Sequence, residues 1–269
     1  MSADTLTERA REASNLEGRI VLNQGGQATD LNAWIFERLP VPDRGRVLEL
    51  CCGTGAQTRH FAQRVGESGR VVAVDVAEKA LARLVEGLAP ELRPRVRTVA
   101  AGLDDLAGVL AGEAAPGGLD VAFCAYGLYY AADPVRVLGQ LADVLAPDGV
   151  LGVCGPFGPN NGALFGLLRE AGVALAPEVV RSSETFMAGE VFPWMARRFA
   201  AVQVHTLVNP VRWDSPDKVV GYWRNTTFFD ESRLAVVEEL VRRHFAEHGE
   251  FINAKWVMLL TATQDRNRP

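Results

Sequence analysis

The sequence predicts an α/β fold in which a mostly parallel, seven-stranded sheet carries helices on both faces. Three observations lead to this class. Short apolar runs alternate with amphipathic stretches over residues 46–154, which is the pattern of βαβ units. The first run ends in a turn of small residues, and the second ends in an aspartate. Two further apolar runs near the end of the chain complete a Rossmann-like sheet.

Each apolar run is the length of a strand, and the stretches between runs have helical periodicity. Residues 77–88 predict one such helix because five apolar side chains fall on a single stripe. Asp133 and Pro134 predict the start of another, over 135–145, since proline is favoured at the first helical position. The predicted strands occupy 46–51, 70–75, 95–99, 119–124, 149–154, 201–208 and 255–262.

The chain divides into three predicted segments. Residues 1–45 predict a helical lid, interrupted by a flexible break at 23–27. Residues 46–155 form the predicted ligand-binding core. Residues 156–269 combine a helical cap, inserted after the fifth strand, with the last two strands. About 100 residues separate the fifth strand from the last, far more than a simple connection needs, so we expect the cap to recognise the substrate.

The turn after the first strand has the spacing Glu-x-Cys-x-Gly-x-Gly, from Glu49 to Gly55. Glycines at 53 and 55 let backbone N–H groups approach a ligand closely, and the following helix directs its positive end to the same place. The spacing departs from the dinucleotide fingerprint G-x-G-x-x-G. About 20 residues further on, Asp75 ends the second strand, where a carboxylate can accept both ribose hydroxyls of an adenosine.

These motifs resemble the class I S-adenosylmethionine-dependent methyltransferases, especially the branch of ubiquinone and menaquinone biosynthesis. The resemblance runs from about residue 46 to 153. It is carried by four motifs in the family's order, followed by a helix, a Pro-Asp-Gly turn and the fifth strand: 48–55, 74–75, 99–106 and 119–130.

The resemblance implies S-adenosylmethionine as cofactor and S-adenosylhomocysteine as product. It places Gly53 and Gly55 at the methionine part, Asp75 at the ribose, and Leu103 with Asp104 at the adenine. Many relatives have an aspartate where this chain has Gly102, so the adenine contact is expected from the next two residues. The implied cofactor-binding residues are Glu49, Cys51, Gly53, Thr54, Gly55, Thr58, Asp75, Val76, Gly102, Leu103, Asp104, Ala125 and Tyr126.

The resemblance implies in-line transfer of a methyl group to the O, N or C atom of a small, aromatic or amphipathic metabolite. Many relatives carry paired histidines where this chain has Tyr129 and Tyr130, and an asparagine where it has Ala125. Tyrosine rings can face a cation, so we predict Tyr129 and Tyr130 as catalytic residues. The alternative is that a tyrosine is packed under the cap.

Polar and aromatic residues after the fifth strand predict the acceptor site. Asn160 and Asn161 follow that strand directly, although an asparagine there is equally suited to cap a helix. The stretch 222–229 mixes aromatics with amides and hydroxyls, as pockets do; packing of the cap is the alternative. The predicted substrate residues are Tyr130, Asn160, Asn161, Trp194, Trp223, Asn225 and Phe228.

Composition disfavours several other classes of function. A net charge of −5 argues against a nucleic-acid partner. No apolar run approaches the length of a membrane span and the first residues are not a secretory signal, so we expect a cytoplasmic protein with no membrane partner. Four cysteines without a C-x-x-C pair indicate reduced, buried thiols. His244 and His248 lack a third ligand, so no metal is predicted. A homo-oligomer is compatible with the sequence.

Two alternatives to methyl transfer stay open. One is an enzyme that uses S-adenosylmethionine without methylating, for example by cyclising its aminopropyl arm. The other is a cofactor-binding subunit without catalysis. The glycine spacing disfavours a nicotinamide oxidoreductase, although fold alone does not exclude it.

Overall fold

The computed structural model describes residue 18 and residues 21–23, 25–113 and 118–265. Seven strands form one sheet: β1 (Arg46–Leu50), β2 (Arg70–Asp75), β3 (Val96–Ala100), β4 (Leu119–Ala125), β5 (Leu145–Pro156), β6 (Phe199–Trp213) and β7 (Phe251–Asp265). Their order in the sheet is β3-β2-β1-β4-β5-β7-β6. Strand β1 pairs in parallel with β2 and β4, β2 with β3, and β4 with β5. The predicted seven-stranded, mostly parallel sheet is confirmed.

The helices follow the predicted alternation. Asp133 accepts the Arg136 backbone N–H at 2.9 Å and Pro134 opens the helix behind it, which confirms the predicted cap. Two π-helical stretches, Arg181–Thr185 and Met187–Val191, were not predicted. The α-helices are α1 (Leu31–Phe36), α2 (Ala56–Arg64), α3 (Glu78–Gly87), α4 (Leu106–Glu113), α5 (Pro134–Asp143), α6 (Gly162–Glu170), α7 (Pro177–Val180), α8 (Phe192–Arg198), α9 (Pro216–Arg224) and α10 (Leu234–His248).

The chain forms two compact units that share β6 and β7. We call the first the sheet unit; it contains Leu31–Gly155, Met187–His205 and 258–265. The second, the helical unit, contains Pro156–Phe186, Thr206–Val257 and the described residues before Leu31. The predicted three-part division of the chain stays a prediction.

Each unit has its own apolar core. In the sheet unit, Phe61 of α2 meets Phe123 of β4 edge to face, with ring centroids 5.4 Å apart. Because β1 is covered on both faces, Val47, Leu48 and Leu50 are buried. The core of the helical unit gathers side chains from α6, α9, α10 and the strands, including Phe165, Trp213, Trp223, Val237 and Phe251.

The N-terminal segment differs from its prediction where it is described. Residues 1–17, 19, 20 and 24 of the predicted helical lid lie outside the described residues. The break at 23–27 is not a free linker, because Gln27 forms an antiparallel bridge with Val211 and the Arg212 N–H donates to the Gly26 carbonyl at 2.9 Å. Among the described helices, none has the length and apolar character needed to cross a membrane.

Candidate cofactor site

The loop between β1 and α2 has the conformation of a ligand-binding turn. Cys51, Gly53 and Gly55 have φ values of 56°, 54° and 81°, in the left-handed region that favours glycine. A Cβ on Gly55 would lie 2.5 Å from Cγ of Leu84 in α3. Glycine is therefore required there for both conformation and close packing, while Thr54 between the two glycines is half-buried.

Asp75 ties the end of β2 to this loop. One carboxylate oxygen accepts the Gly53 N–H at 2.8 Å, and the other accepts the Ala77 N–H at 2.9 Å. A carboxylate has about four acceptor positions, so each oxygen keeps capacity for a further donor. The neighbouring Val76 is 45% exposed, which places an apolar surface beside the carboxylate. Ribose hydroxyls and an adenine face fit these two residues.

Glu49 and Thr58 form a buried pair beneath the loop. The Thr58 hydroxyl donates to the Glu49 carboxyl group at 2.6 Å, and both residues are at most 1% exposed. Burial raises the pKa of Glu49 to about 8, an effect that the Thr58 hydrogen bond opposes and the charge of Asp75 adds to. At neutral pH Glu49 is therefore mostly protonated. In this structure Glu49 and Thr58 support the loop from beneath. Because both are buried, they have no surface for the direct cofactor contact that was predicted for them.

The four cysteines are free thiols, and Cys51 is the one only partly buried. A hydrogen bond with Cys124 and burial raise the pKa of Cys51 well above its usual value. Burial likewise raises the pKa of Cys52 and Cys154. Cys51 is thus a neutral, small side chain in the loop rather than a thiolate nucleophile.

The segment predicted to border the adenine lies next to β2. The Ala101 N–H donates to the Asp75 carbonyl at 3.1 Å, which continues the pairing of β3 with β2. Leu103 and Asp104 begin a 3₁₀ turn directly after Gly102. The Asp104 carboxylate pairs with the Arg136 guanidinium at 3.1 Å, both at the surface. A cavity of about 300 Å³ lies beside this segment, but the predicted cofactor residues do not line it.

Three tyrosines follow β4 at the same edge of the sheet. Tyr126, after Ala125, has φ 55° and donates its N–H to the Cys154 carbonyl at 2.9 Å. The Tyr129 hydroxyl donates to the Tyr126 carbonyl at 2.8 Å, and the rings of Tyr129 and Tyr130 lie 4.7 Å apart. Tyr126 is 36% exposed and Tyr130 45%. Because Leu50 pairs with Cys124, this turn emerges beside the loop after β1.

Comparison with known proteins identifies the family. Residues 47–149 match a family described as a methyltransferase domain. The chain is 34% identical over 221 residues to nocamycin O-methyltransferase of Saccharothrix syringae, covering 73% of this chain and 76% of that protein. The chain belongs to the class I S-adenosylmethionine-dependent methyltransferases.

Two further comparisons bear on relatedness and on fold. A stretch of 44 residues is 52% identical to 2-phytyl-1,4-naphtoquinone methyltransferase of Thermosynechococcus vestitus, which is 16% of this chain and 20% of that one. The YcgJ protein of Bacillus subtilis shares the fold, with a TM-score of 0.60 at 16% identity over 88% of this chain and 98% of that chain. The chain thus spans a fifth of the first relative's length.

The two asparagines after β5 form hydrogen bonds within the helical unit. Asn160 donates to the Ser183 hydroxyl at 2.8 Å and accepts the Trp256 N–H at 3.1 Å. Asn161 accepts from Asn253 at 2.9 Å and also from Lys255. Asn161 makes no side-chain cap for α6. Both asparagines are buried. In this structure they hold β7 and the Ser183 segment in place and do not make the predicted substrate contact.

The predicted aromatic substrate residues are also engaged in packing. Trp223 is fully buried and donates its indole N–H to the Phe228 carbonyl at 3.2 Å. Asn225 donates to the Gly221 carbonyl at 2.7 Å, and the Phe228 ring meets Phe165 edge to face. In the sheet unit, Trp194 is half-buried, with its ring 6.3 Å from that of Phe199. For Trp223 in particular, full burial excludes ligand contact in this conformation.

The helical unit contains a buried lysine that the sequence did not predict. Lys255 on β7 is 8% exposed, donates to the Tyr222 hydroxyl at 2.7 Å and lies 4.1 Å from the centre of the Tyr222 ring. Its place at the start of the predicted strand 255–262 could have indicated this, since a lysine that continues into a buried strand needs partners.

Proposed function

We propose that this protein transfers a methyl group from S-adenosylmethionine to a hydroxyl oxygen of a small organic acceptor and releases S-adenosylhomocysteine. The observation that carries the proposal is the meeting of the β1 loop, Asp75 and the Tyr126 turn at the carboxyl ends of three adjacent strands. Open α/β sheets bind ligands at this edge. The name of the 34% identical relative, an O-methyltransferase, supports oxygen as the acceptor atom.

The chain's own groups suit the cofactor. Asp75 retains acceptor capacity for ribose hydroxyls, and the absence of a Cβ on Gly53 and Gly55 lets the methionine part approach the loop backbone closely. Leu103 and Asp104 stand on the β3 side for the adenine. When bound, the cofactor supplies an electrophilic methyl group on a sulfonium. The protein then has to position the acceptor and exclude water, which can account for roughly 7–11 kcal/mol of barrier reduction.

The protonation states favour an acidic acceptor hydroxyl. Glu49 is buried and mostly protonated at neutral pH. Asp75 already accepts two backbone N–H groups, and the Tyr129 hydroxyl is engaged as a donor. An unperturbed tyrosine, with a pKa of about 10, is a weak base at neutral pH. A phenol or enol can lose its proton to bulk water before it binds. Its oxygen then attacks the methyl carbon as the carbon–sulfur bond breaks and that electron pair passes to sulfur.

Product analysis tests the proposal. Purified protein is incubated with S-adenosylmethionine and, in turn, phenol, catechol, 2-methyl-1,4-naphthohydroquinone and an enolic 1,3-diketone. We expect a methyl ether and S-adenosylhomocysteine in equal amounts for at least one acceptor. Formation of methylthioadenosine would identify the alternative in which the aminopropyl arm is cyclised. Cofactor binding without any turnover would identify the cofactor-binding subunit without catalysis. Asp75→Ala protein serves as the control for contaminating activity.

Other expectations accompany this proposal. A cytoplasmic location, the absence of a nucleic-acid partner and formation of a homo-oligomer stay predictions. The acceptor series above tests which small phenol or enol is methylated.

A further inference from the structure

Strand β6 lies at one edge of the sheet, with β7 as its neighbour. Near the end of β6, the segment before α1 covers its outer side. There the Ala28 N–H donates to the Pro210 carbonyl at 3.3 Å. The Arg212 N–H donates to the Gly26 carbonyl at 2.9 Å. Nearer the start of the strand, residues 200–208 form no backbone hydrogen bond on that side with any residue that the structure describes. We call 200–208 the open edge.

The covered end of β6 shows which residues of the open edge face outward. In a strand, the N–H and C=O groups of one residue point to the same side, and successive residues alternate between the two sides. Pro210 and Arg212 direct these groups to the outer side. Because β6 is one continuous strand, the alternation carries on to the even-numbered residues of the open edge. The residues with outward N–H and C=O groups are Ala200, Val202, Val204, Thr206 and Val208.

The open edge lacks the features that keep edge strands from pairing. Natural edge strands are protected by charged side chains, proline, bulges or a covering element. Segment 200–208 contains no Asp, Glu, Lys, Arg or Pro. Its ionisable side chain, His205, is neutral at pH 7, because burial and the charge of Arg38 lower its pKa. The strand at the opposite edge, β3, has only five residues and carries the exposed Arg97.

The side chains of the open edge match a second copy of the same segment. Four β-branched residues, at 202, 204, 206 and 208, recur at every second position and share one face of the strand. Val204 is 45% exposed and Val208 is 47% exposed. In an antiparallel pair centred on Val204, each Val204 lies opposite its counterpart, Val202 lies opposite Thr206, and Ala200 lies opposite Val208. Directly opposite β-branched side chains stabilise a sheet, and no like charges meet.

We propose that two copies of this chain join their sheets by antiparallel pairing of the open edge, with the two-fold axis at Val204. The partner is a second copy because one segment supplies outward donors and acceptors at the same spacing. Each pair of opposite outward residues exchanges two hydrogen bonds, so roughly ten form in all. An isologous contact of this kind closes on itself as a dimer. The inference goes beyond the proposed methyl transfer and does not depend on it.

Sedimentation equilibrium of the full chain tests the pairing. We expect the wild type to be a dimer at micromolar concentration. Val204→Lys places two positive charges opposite each other at the two-fold axis, so the Kd of the dimer should rise at least about tenfold. Because Val204 is exposed, this variant should keep the far-ultraviolet circular dichroism of the wild type. Val236→Lys is the matched control, since Val236 of α10 is also 45% exposed; its Kd should equal that of the wild type.

Cysteine cross-linking tests the register. In Val204→Cys the two new thiols lie opposite each other, with Cα atoms about 5.5 Å apart, which a disulfide can span. In Val208→Cys the corresponding Cα atoms lie about 27 Å apart, since each faces position 200 of the other copy. With copper phenanthroline as oxidant, we expect a disulfide-linked dimer from Val204→Cys and none from Val208→Cys. A monomeric wild type, an unchanged Kd in Val204→Lys, or equal cross-linking of the two cysteine variants would each overturn the inference.

Discussion

Replacement of Asp75 is the most direct test of the cofactor site. In Asp75→Ala, the N–H groups of Gly53 and Ala77 lose acceptors that lie at 2.8 and 2.9 Å. The predicted ribose hydroxyls lose the same carboxylate. The substitution therefore acts on the shape of the loop and on the ligand contact together, and the two effects have to be measured separately.

The expected magnitude follows from these contacts. A hydrogen bond to a charged group contributes about 1.5–3 kcal/mol, and the lower end applies because both loop bonds are only partly buried. For the ligand, loss of the charged acceptor should weaken S-adenosylhomocysteine binding by about 1–3 kcal/mol, or roughly 5–150-fold in Kd. Asp75→Asn keeps one acceptor oxygen and the side-chain shape, so its Tm should fall less than that of Asp75→Ala.

Isothermal titration calorimetry with S-adenosylhomocysteine measures the affinity, and thermal unfolding without ligand measures the loop. Unchanged affinity in Asp75→Ala would show that Asp75 is not at the ribose. If Asp75→Asn kept full affinity while Asp75→Ala lost it, the charge would be irrelevant to the ligand, and one neutral acceptor oxygen would suffice.

Three further predictions follow from burial and packing. Glu49 has a pKa of about 8 when folded against an ordinary value of 4.5, so the folded state binds its proton more tightly and the free energy of unfolding should fall as pH rises from 4.5 to 8. The full shift corresponds to about 5 kcal/mol. In urea unfolding at pH 5, 6.5 and 8, Glu49→Gln should lack this pH dependence of the free energy of unfolding, and the same pH dependence in variant and wild type would contradict the prediction. Gly55→Ala should lower Tm and cofactor affinity, because its Cβ would lie 2.5 Å from Leu84 at φ 81°, whereas Gly139→Ala, with nothing within 4 Å of its Cβ, should raise stability by about 0.5–1 kcal/mol. Trp223→Ala should reduce the unfolding free energy by about 3–5 kcal/mol in urea titrations, and a loss below about 1 kcal/mol would argue against its packing role.

Local features of the sequence predicted most of the sheet and the cofactor loop. The sequence predicts strand β2 over 70–75 and it occupies Arg70–Asp75, because a strand covered on both faces is a continuous apolar run in the sequence. The cap at Asp133 was equally readable, since its partner lies three residues away. Strands β6 and β7 are longer than predicted, 15 residues each, because pairing with neighbouring strands extends them through polar positions.

The sequence by itself determined the fold class, the family resemblance and the residues of the β1 loop, because a strand, a glycine turn and a helix start are encoded within about ten residues. Only the tertiary structure decided which partners, distant in the sequence, the buried polar side chains bond to. Asn161 meets Asn253 across 92 positions of sequence, and Glu49 is protonated only because the surrounding fold buries it. The left-handed backbone of Tyr126 is likewise held by Cys154 and Tyr129. Hydrogen-bond partners and burial are properties of the folded chain. No local sequence pattern therefore distinguishes an asparagine with a structural role from one that binds a ligand.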